Sequence, residues 1–374
     1  MLQIADILQF SRKNKAVLQQ YVHWKYIPEN ISESLQNYQK HQCNALVLLS
    51  LENPVELCRF LRVSMYQIEE IINTPRYEHY SIKKKRGGER PVFAPEKQLK
   101  KIQKRLNYFL QAYYLWIKPS EVHGFVINPH YLGNHCNIVA NAAVHTGKKH
   151  VLNIDLKDFF PSISAKRIKK LFSSYLFNYN EQMAIALALL TTYQAKLPTG
   201  APTSPVLSNF ICLELDAALN FFCNFSGLKF TRYADDLTFS SDTIISQNTI
   251  QYIIQVIKEN GFEINEKKLR VQSSSRKQTV TGLTVNKKVN VDRKLLKKIR
   301  AMLHDLTTNG IDAATQQHFN LKDVAAPIHR MHFISRLEGY INFVGQVRGK
   351  NDPVYLKLKQ RLTQHFAGTS KNPS

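Results

Sequence analysis

Acidic residues are scarce in this chain. Only 28 Asp and Glu stand against 51 Lys and Arg in 374 residues, a formal charge of +23. That excess goes well beyond what solubility needs and points to a polyanionic partner, either nucleic acid or an anionic membrane surface. Long apolar runs are also lacking. The longest, MAIALALL from Met183 to Leu190, is far short of the roughly 20 residues that span a bilayer. The first twenty residues carry Asp6 and several glutamines, with no small-residue cleavage site after a hydrophobic block, so no signal peptide is expected. Cysteine is sparse: Cys43, Cys58, Cys136, Cys212 and Cys223 are odd in number, scattered and never spaced as CxxC. That excludes a zinc knuckle or a disulfide framework and suits reduced thiols in the cytoplasm. No internal repeat or low-complexity segment stands out. What remains is a chain with 44% hydrophobic residues, enough for one large domain or two to three subdomains, with nucleic acid as the leading partner.

The pattern along the chain is helical, then mixed, then helical. Residues 1 to about 75 are helical, broken at Pro28 and Pro54, with two short helices expected around Asn53-Pro54. YEHYSIKKKRGGERPVFAP (Tyr77 to Pro95) reads as strand, basic glycine turn, strand. A helix follows, with Leu99, Ile102, Leu106, Phe109, Tyr113 and Trp116 on one face. HVLNIDLKDFFPSI is an apolar strand expected to stop at Pro161, and Ser164 then caps a helix through Ile168, Leu171 and Phe172. Helical stretches Glu181 to Tyr193 and Ser204 to Asn224 precede TRYADDLTFS, which reads as strand, tight turn, strand. QNTIQYIIQVIKENGF is a further helix stopped by Gly261, and TVTGLTVNKKVNV is another hairpin. The end is helical and basic, with seven Lys or Arg between Lys287 and Arg300 against one acid, Asp292. This order implies an α+β fold, an antiparallel sheet backed by helices.

Chemistry concentrates in the acids. Asp235 and Asp236 are adjacent at a hairpin tip, where like charges repel unless a cation offsets them. Alone, such a pair is as readily a solubility feature. Asp155, however, sits among Val151, Leu152, Ile154 and Leu156, and an acid within a buried strand is expensive unless paired or metal-bound. If the two strands are neighbours, Asp155, Asp235 and Asp236 converge, with Asp158 near by. Three carboxylates with no histidine or cysteine form a hard-oxygen site for Mg²⁺ or Mn²⁺. Two such ions can activate a hydroxyl and stabilise a leaving pyrophosphate in one in-line step.

NIDLKDFFPSI, LPTGAPTSPVLSNF, RYADDLTFS and INEKKLRV occur in the order of the palm motifs of reverse transcriptases, and the chain resembles that family from about Tyr80 to Asn290. Two pieces narrow the resemblance to the bacterial retron enzymes: NAAVH, Asn141 to His145, is similar to their NAxxH signature, and Val280-Thr281-Gly282 to their VTG. The resemblance implies a right-hand polymerase with a helical N-terminal extension over 1–75, fingers and palm over 76–290 and a basic helical thumb over 291–374. It implies an RNA-directed DNA polymerase that uses two Mg²⁺ ions and dNTPs. Its RNA partner would be a structured noncoding RNA, copied in part into a branched RNA–DNA hybrid. A separately encoded effector would serve with it in antiphage defence.

Residue by residue, Asp155, Asp235 and Asp236 match the metal-binding aspartates. Phe160 matches the aromatic that excludes a 2′-hydroxyl, with core packing as the alternative. Arg90, and before it Lys83, Lys84 and Lys85, match residues that hold triphosphate, and a solvated charge run is the alternative for any one lysine. Gly200 matches a glycine near the incoming base, and Lys268 a lysine near the leaving pyrophosphate. Where the family has glutamine before that glycine, this chain has Thr199, which puts side-chain contact with the nucleotide from this position in doubt. For RNA and DNA contact the resemblance singles out Asn141, His145, Thr281 and Gly282. His145 is equally open to a role in capping a local helix. The basic end adds Lys294, Lys297 and Lys298 as phosphate contacts, with Tyr340 or Phe343 as stacking rings.

Other functions compete. An enzyme of the group II intron or diversity-generating kind shares the motifs, but intron enzymes usually carry extensions for which this chain has little room. A scaffold that binds RNA without catalysis is opposed by three intact acids and Phe160. A membrane-surface protein ranks last, because no helix combines a basic face with a spare apolar face.

Overall fold

The computed structural model describes residues 3–21, 35–83, 87–128, 132–133, 136–319 and 327–369. Two compact units interleave along the chain. One holds Met1–Cys136, Asn153–Thr238 and Ile245–Arg270, and the other Asn137–Leu152, Phe239–Ile244 and Val271–Ser374.

The first unit begins with α1 (Ile4–Lys13), α2 (Lys15–Gln20), α3 (Lys40–Leu49), α4 (Pro54–Leu61) and α5 (Met65–Asn73). Around Asn53-Pro54 the chain therefore forms three helices where two were expected. The cause is capping. The Asn53 side chain accepts the Glu56 N–H with Pro54 in the first turn, Arg62 ends α4 at φ +61°, and Ser64 with Gln67 forms a capping box that restarts the helix as α5. The hairpin β1 (Tyr77–Lys83) and β2 (Glu89–Pro95) is antiparallel, with Ile82 opposite Arg90, and α6 (Lys97–Ile117) follows. The buried face of α6 carries Leu99, Ile102, Leu106, Phe109, Leu110, Tyr113 and Tyr114. Tyr113, Phe177 and Phe210 join it in an aromatic core, with ring centroids 5.1–5.5 Å apart.

Helices α1 and α3 of the N-terminal stretch belong to that core. Ser11 Oγ donates to the Leu46 carbonyl at 2.9 Å, and the buried Tyr179 hydroxyl donates to the Leu48 carbonyl at 2.7 Å.

The central sheet has the order β4 (Lys229–Tyr233), β5 (Asp236–Ser241), β3 (His150–Asp155), β6 (Arg270–Ser273). β4 and β5 are joined by two residues, so they run antiparallel. β3 stops at Asp155, well before Pro161. The chain leaves the strand at Leu156, whose N–H reaches the Asp235 carbonyl at 2.9 Å, and turns at Asp158, φ +44°, whose carbonyl accepts the Ser162 N–H. Helices fill the chain between β3 and β4, beginning with α8 (Ala165–Ser173), capped by Ser164 as expected, α9 (Glu181–Thr191) and α10 (Ser204–Ile211). The stretch from Ser204 is bent: α10 and α11 (Leu213–Phe225) meet at Cys212 with a 49° angle. After β5 comes α12 (Gln247–Glu259), stopped where Gly261 takes φ +74°.

The second unit contains α7 (Ile138–Ala143), the short hairpin β7 (Thr279–Val280) and β8 (Leu283–Thr284), then α13 (Arg293–Thr308), α14 (Gly310–Phe319), α15 (Pro327–Arg348) and α16 (Pro353–Thr369). Its core joins Val151, Val280 and Val285 to Ile299, Met302, Leu306, Phe333, Leu337 and Val344. α15 and α16 approach closely because Gly345 has no side chain: a Cβ there would come within 2.6 Å of the Tyr355 ring.

Tyr179→Phe tests whether the N-terminal helices are integral. Losing the hydroxyl leaves the Leu48 carbonyl only the longer bond from the Leu51 N–H at 3.3 Å, and urea denaturation should show a loss of about 0.5–1.5 kcal/mol. An unchanged midpoint would mean that α3 is not held through this bond.

Candidate active site

The site is built from the inside outward, starting with a charge in an apolar strand. Arg232 on β4 has no exposed surface, nor does Asp216 on α11. Arg232 Nε and Nη2 donate to the two Asp216 oxygens at 2.6 and 2.7 Å. Burial disfavours the guanidinium charge, but the Asp216 carboxylate outweighs it and raises the Arg232 pKa above its ordinary value. Arg232 Nη1 donates to Asn209 Oδ1 at 2.9 Å and to the Ala234 carbonyl at 3.2 Å. Ala234 is the first of the two turn residues and holds φ +58°. Glycine is the usual residue at such a hairpin position, and an alanine there is strained by roughly 1–2 kcal/mol. The Arg232 donor holds that strained carbonyl in place, and the next two residues are Asp235 and Asp236.

The turn brings the acids to β3. Asn153 Nδ2 donates to Thr238 Oγ1 at 3.3 Å, and the Asp155 carbonyl accepts the Asn265 N–H at 2.8 Å. Asp155 is 9% exposed and is gripped by Lys268, whose Nζ lies 2.7 and 2.9 Å from its two oxygens. The expected pyrophosphate lysine is thus the counter-charge of an expected metal ligand. Burial and the nearby Asp155 charge push the Asp235 carboxyl up, while its backbone hydrogen bond, Arg90 and Lys268 pull it down. Asp236 is pushed up to about 6 by burial, then by Asp235 and Asp155, against Lys268 and Arg270. Asp236 is crowded by protein yet keeps an open side to solvent. The open side of Asp236 leaves room for an ion to approach.

Among the described residues no three His, Cys, Asp or Glu side chains already stand as a closed metal cage. The donor chemistry still fits a hard divalent cation. Both turn carboxyls are raised by burial and by the Asp155 charge, Asp236 also by Asp235, and the positive charge at Asp155 comes from an amine that an ion can replace.

Phe160 is half-buried, its ring 5.7 Å from Phe125 at 29° and 5.5 Å from Phe159. Gly200 has φ +117°, and a Cβ there would meet Val92 at 2.7 Å. The position thus requires glycine because β2 lies against it, whatever else approaches. Thr199 serves through its backbone, its carbonyl accepting the Phe93 N–H at 2.7 Å. Arg90 is exposed on β2 and close enough to draw the Asp235 pKa down. Lys83 ends β1, exposed. Lys84 and Lys85 lie outside the described residues.

In the second unit two expected contact residues are buried. Asn141 is 1% exposed and His145 is 0% exposed, with His145 Nδ1 2.7 Å from Ser240 Oγ. The surface therefore gives RNA no direct access to them. The α7 helix meets the β7–β8 hairpin through Ile138: Thr281, at φ +46°, donates from Oγ1 to the Ile138 carbonyl at 3.3 Å. Gly282 follows at φ +83° with open space around it. NAAVH and VTG, remote in sequence, are one structural piece. On α13, Lys294, Lys297 and Lys298 are exposed as expected, and the Lys298 ammonium sits 5.1 Å from the centre of the Tyr340 ring. Lys287 and Lys288 precede the helix. Tyr340 and Phe343, the two expected stacking rings, are both half-buried and pack against this unit's core.

Sequence reading missed Arg232, Asp216, Asn209 and Phe125 as functional positions. The signal was there for two of them: an arginine in FTRY and an aspartate in LELDAAL each sit at core positions, which a charge occupies only with a partner.

Residues 82–285 match the family model described as reverse transcriptase (RNA-dependent DNA polymerase). The chain is similar to the Retron Mx65 reverse transcriptase of Myxococcus xanthus, 34% identical over 72% of this chain and 60% of that relative. It is 32% identical to the Retron Ec86 reverse transcriptase of Escherichia coli, over 68% of this chain and 78% of the relative. A third, the Retron Mx162 reverse transcriptase of Myxococcus xanthus, is 27% identical over 82% of this chain and 70% of the relative.

The electrostatics give a pH-dependent prediction. Because folding raises the Asp236 pKa from 3.8 to about 6, the group favours the fold fully below its unfolded value. That contribution is lost as pH rises through about 6. A bound cation reverses the penalty. Mn²⁺ should therefore raise the melting temperature more at pH 7.5 than at pH 5, and Asp236→Asn should shrink the difference. Equal shifts at both pH values in the parent would contradict this reading.

Proposed function

The chain belongs to the reverse transcriptase family, among its bacterial retron members, and on that premise we propose that it is an RNA-directed DNA polymerase acting at Asp155, Asp235 and Asp236. The aligned region spans 60% of the Mx65 relative and 78% of the Ec86 relative. The observation that carries the reading is the crowding of three carboxyls: beyond burial, the Asp155 charge pushes both Asp235 and Asp236 up, and Asp235 pushes Asp236 up further. Residues 76–290 act as fingers and palm, 291–374 as thumb, and 1–75 as a helical extension built into the core.

The primer's hydroxyl attacks the α-phosphorus of a dNTP, a new phosphodiester P–O bond forms, and pyrophosphate leaves with the broken P–O bond. The family uses divalent ions. Held by the three aspartates, two Mg²⁺ ions would supply the Lewis acidity that activates the hydroxyl and steadies the leaving group. Lys268, the partner of Asp155, would be freed by an ion bound there and is a flexible cation within reach of the same site. Arg90 faces the site's negative charge from β2 and presents a planar fork suited to phosphate oxygens. Phe160 lines the sugar pocket, where a large ring leaves no room for a 2′-hydroxyl.

The template is a structured noncoding RNA and the product a branched RNA–DNA hybrid. That narrower reading is supported by similarity to retron enzymes, by NAAVH and VTG, and by the +23 charge. The exposed basic face of α13, with Lys294, Lys297 and Lys298, offers the duplex a run of phosphate contacts.

The test is primer extension on an RNA template with dNTPs and Mg²⁺, parent against Asp235→Asn/Asp236→Asn. Loss of synthesis by about a hundredfold or more, with RNA affinity retained, is expected. Extension by the double variant at the parental rate would overturn the assignment.

A further inference from the structure

We propose that Arg232, Asn209 and Asp216 are positioning residues for sugar selection, because one buried network fixes both the two-aspartate turn and Phe125, the ring behind Phe160. The inference rests on the polymerase reading above.

Arg232 holds the turn through the Ala234 carbonyl, as described. It also holds a second segment. The Arg232 N–H donates to the Glu121 carbonyl and the Arg232 carbonyl accepts the His123 N–H, each at 3.0 Å, so residues 121–123 run beside β4 as a short parallel pairing. Asn209, whose oxygen is taken by Arg232, turns its Nδ2 to the Gly124 and Phe125 carbonyls at 3.0 and 3.4 Å. Gln111 Nε2 adds a donor to the Phe125 carbonyl at 3.0 Å. Gly124 lies so close to the turn that a Cβ would come within 2.2 Å of the Ala234 nitrogen. Two strained residues thus face each other across this contact, Ala234 at φ +58° and Phe125 at φ +58°. Neither conformation is favoured by its own side chain, so both depend on the surrounding bonds.

The consequence is geometric. Phe125 stacks on Phe160 at 5.7 Å and 29°, and both rings are half-buried. If Phe160 excludes a 2′-hydroxyl, its resistance to being pushed aside depends on what stands behind it. Phe125 is that backing, and its backbone is tied by Asn209 to the guanidinium that sets the acids. A shift of the network therefore changes the distance between sugar wall and reacting centre. Asn209 and Asp216 lie two helical turns apart, on either side of the bend at Cys212, and both reach the one guanidinium.

Removing Asp216 or Arg232 would strand a buried charge and risk the fold. The informative variants are Asn209→Ser, which weakens the link and keeps the ion pair, and Phe125→Leu, which removes the backing ring and leaves the ions untouched. Single-nucleotide incorporation would be measured with each dNTP and its rNTP on an RNA template, with duplex affinity measured alongside. The ratio of kcat/KM for dNTP over rNTP should fall about tenfold or more in both variants, while duplex affinity stays within about twofold. Equal losses with both nucleotides, or an unchanged ratio in folded variants, would overturn the proposal and leave the network as a support of the fold alone. Should Asn209→Ser not fold, Phe125→Leu decides by itself. A parent that incorporates nucleotides but whose variants keep its ratio sinks only this inference; a parent that makes no DNA overturns the polymerase reading and this one together.

Discussion

The ion pair between Arg232 and Asp216 is the constraint on which the site depends. Two charges fully out of water are costly, and a pair of this kind contributes little net stability over a well-packed apolar replacement. What it provides is direction. A guanidinium has five donors in a fixed plane. Here three separate neighbours use them: the Asp216 carboxylate, the Asn209 amide and the Ala234 carbonyl. A lysine at that position would keep the charge and lose the geometry. The strained alanine of the turn, the close approach of Gly124 and the seat of Phe125 all refer to that plane.

On this frame the protein places negative charge where most of its surface is positive. Burial and the Asp155 charge raise both acids at the turn, Asp235 raises Asp236 further, and nearby cations, Lys268 among them, partly offset this. The result is a local shortage of positive charge in a chain of +23. On the proposed reading, such a site would favour a small divalent cation over another side chain, because an ion can reach several carboxylates at once and an amine reaches one. The same overall charge suits a polyanion, so on the proposed reading substrate attraction and metal attraction would be arranged at different scales: the first by the net charge of the chain, the second by three side chains.

Much of this was legible in the sequence, and the exceptions have physical reasons. The β1–β2 hairpin, α6, the Ser164 cap and the Gly261 stop follow from local periodicity and capping, which need no distant partner. The acids stood out because each sits where a carboxylate is expensive. The end of β3 was misplaced because Asp158 in a left-handed conformation, not Pro161, turns the chain, and nothing in an aspartate announces that. The bend at Cys212 was hidden inside continuous helical periodicity. NAAVH looked like a contact motif, yet Asn141 and His145 face inward, since a short motif does not say which side of its helix meets solvent. The Phe125–Phe160 stack joins residues 35 positions apart through strained backbone, and no spacing in the sequence encodes it.

The central claim is that a divalent ion sits between the β4–β5 turn and the end of β3. Iron-directed cleavage of the polypeptide addresses it without relying on activity. Fe²⁺ would be substituted at neutral pH with ascorbate and peroxide, and the cut sites mapped by mass spectrometry. Cuts clustered at Asp155 and at Ala234 to Asp236, suppressed by excess Mg²⁺, are the predicted result. Cuts scattered over surface acids such as Glu263 and Asp242, unaffected by Mg²⁺, would contradict the account.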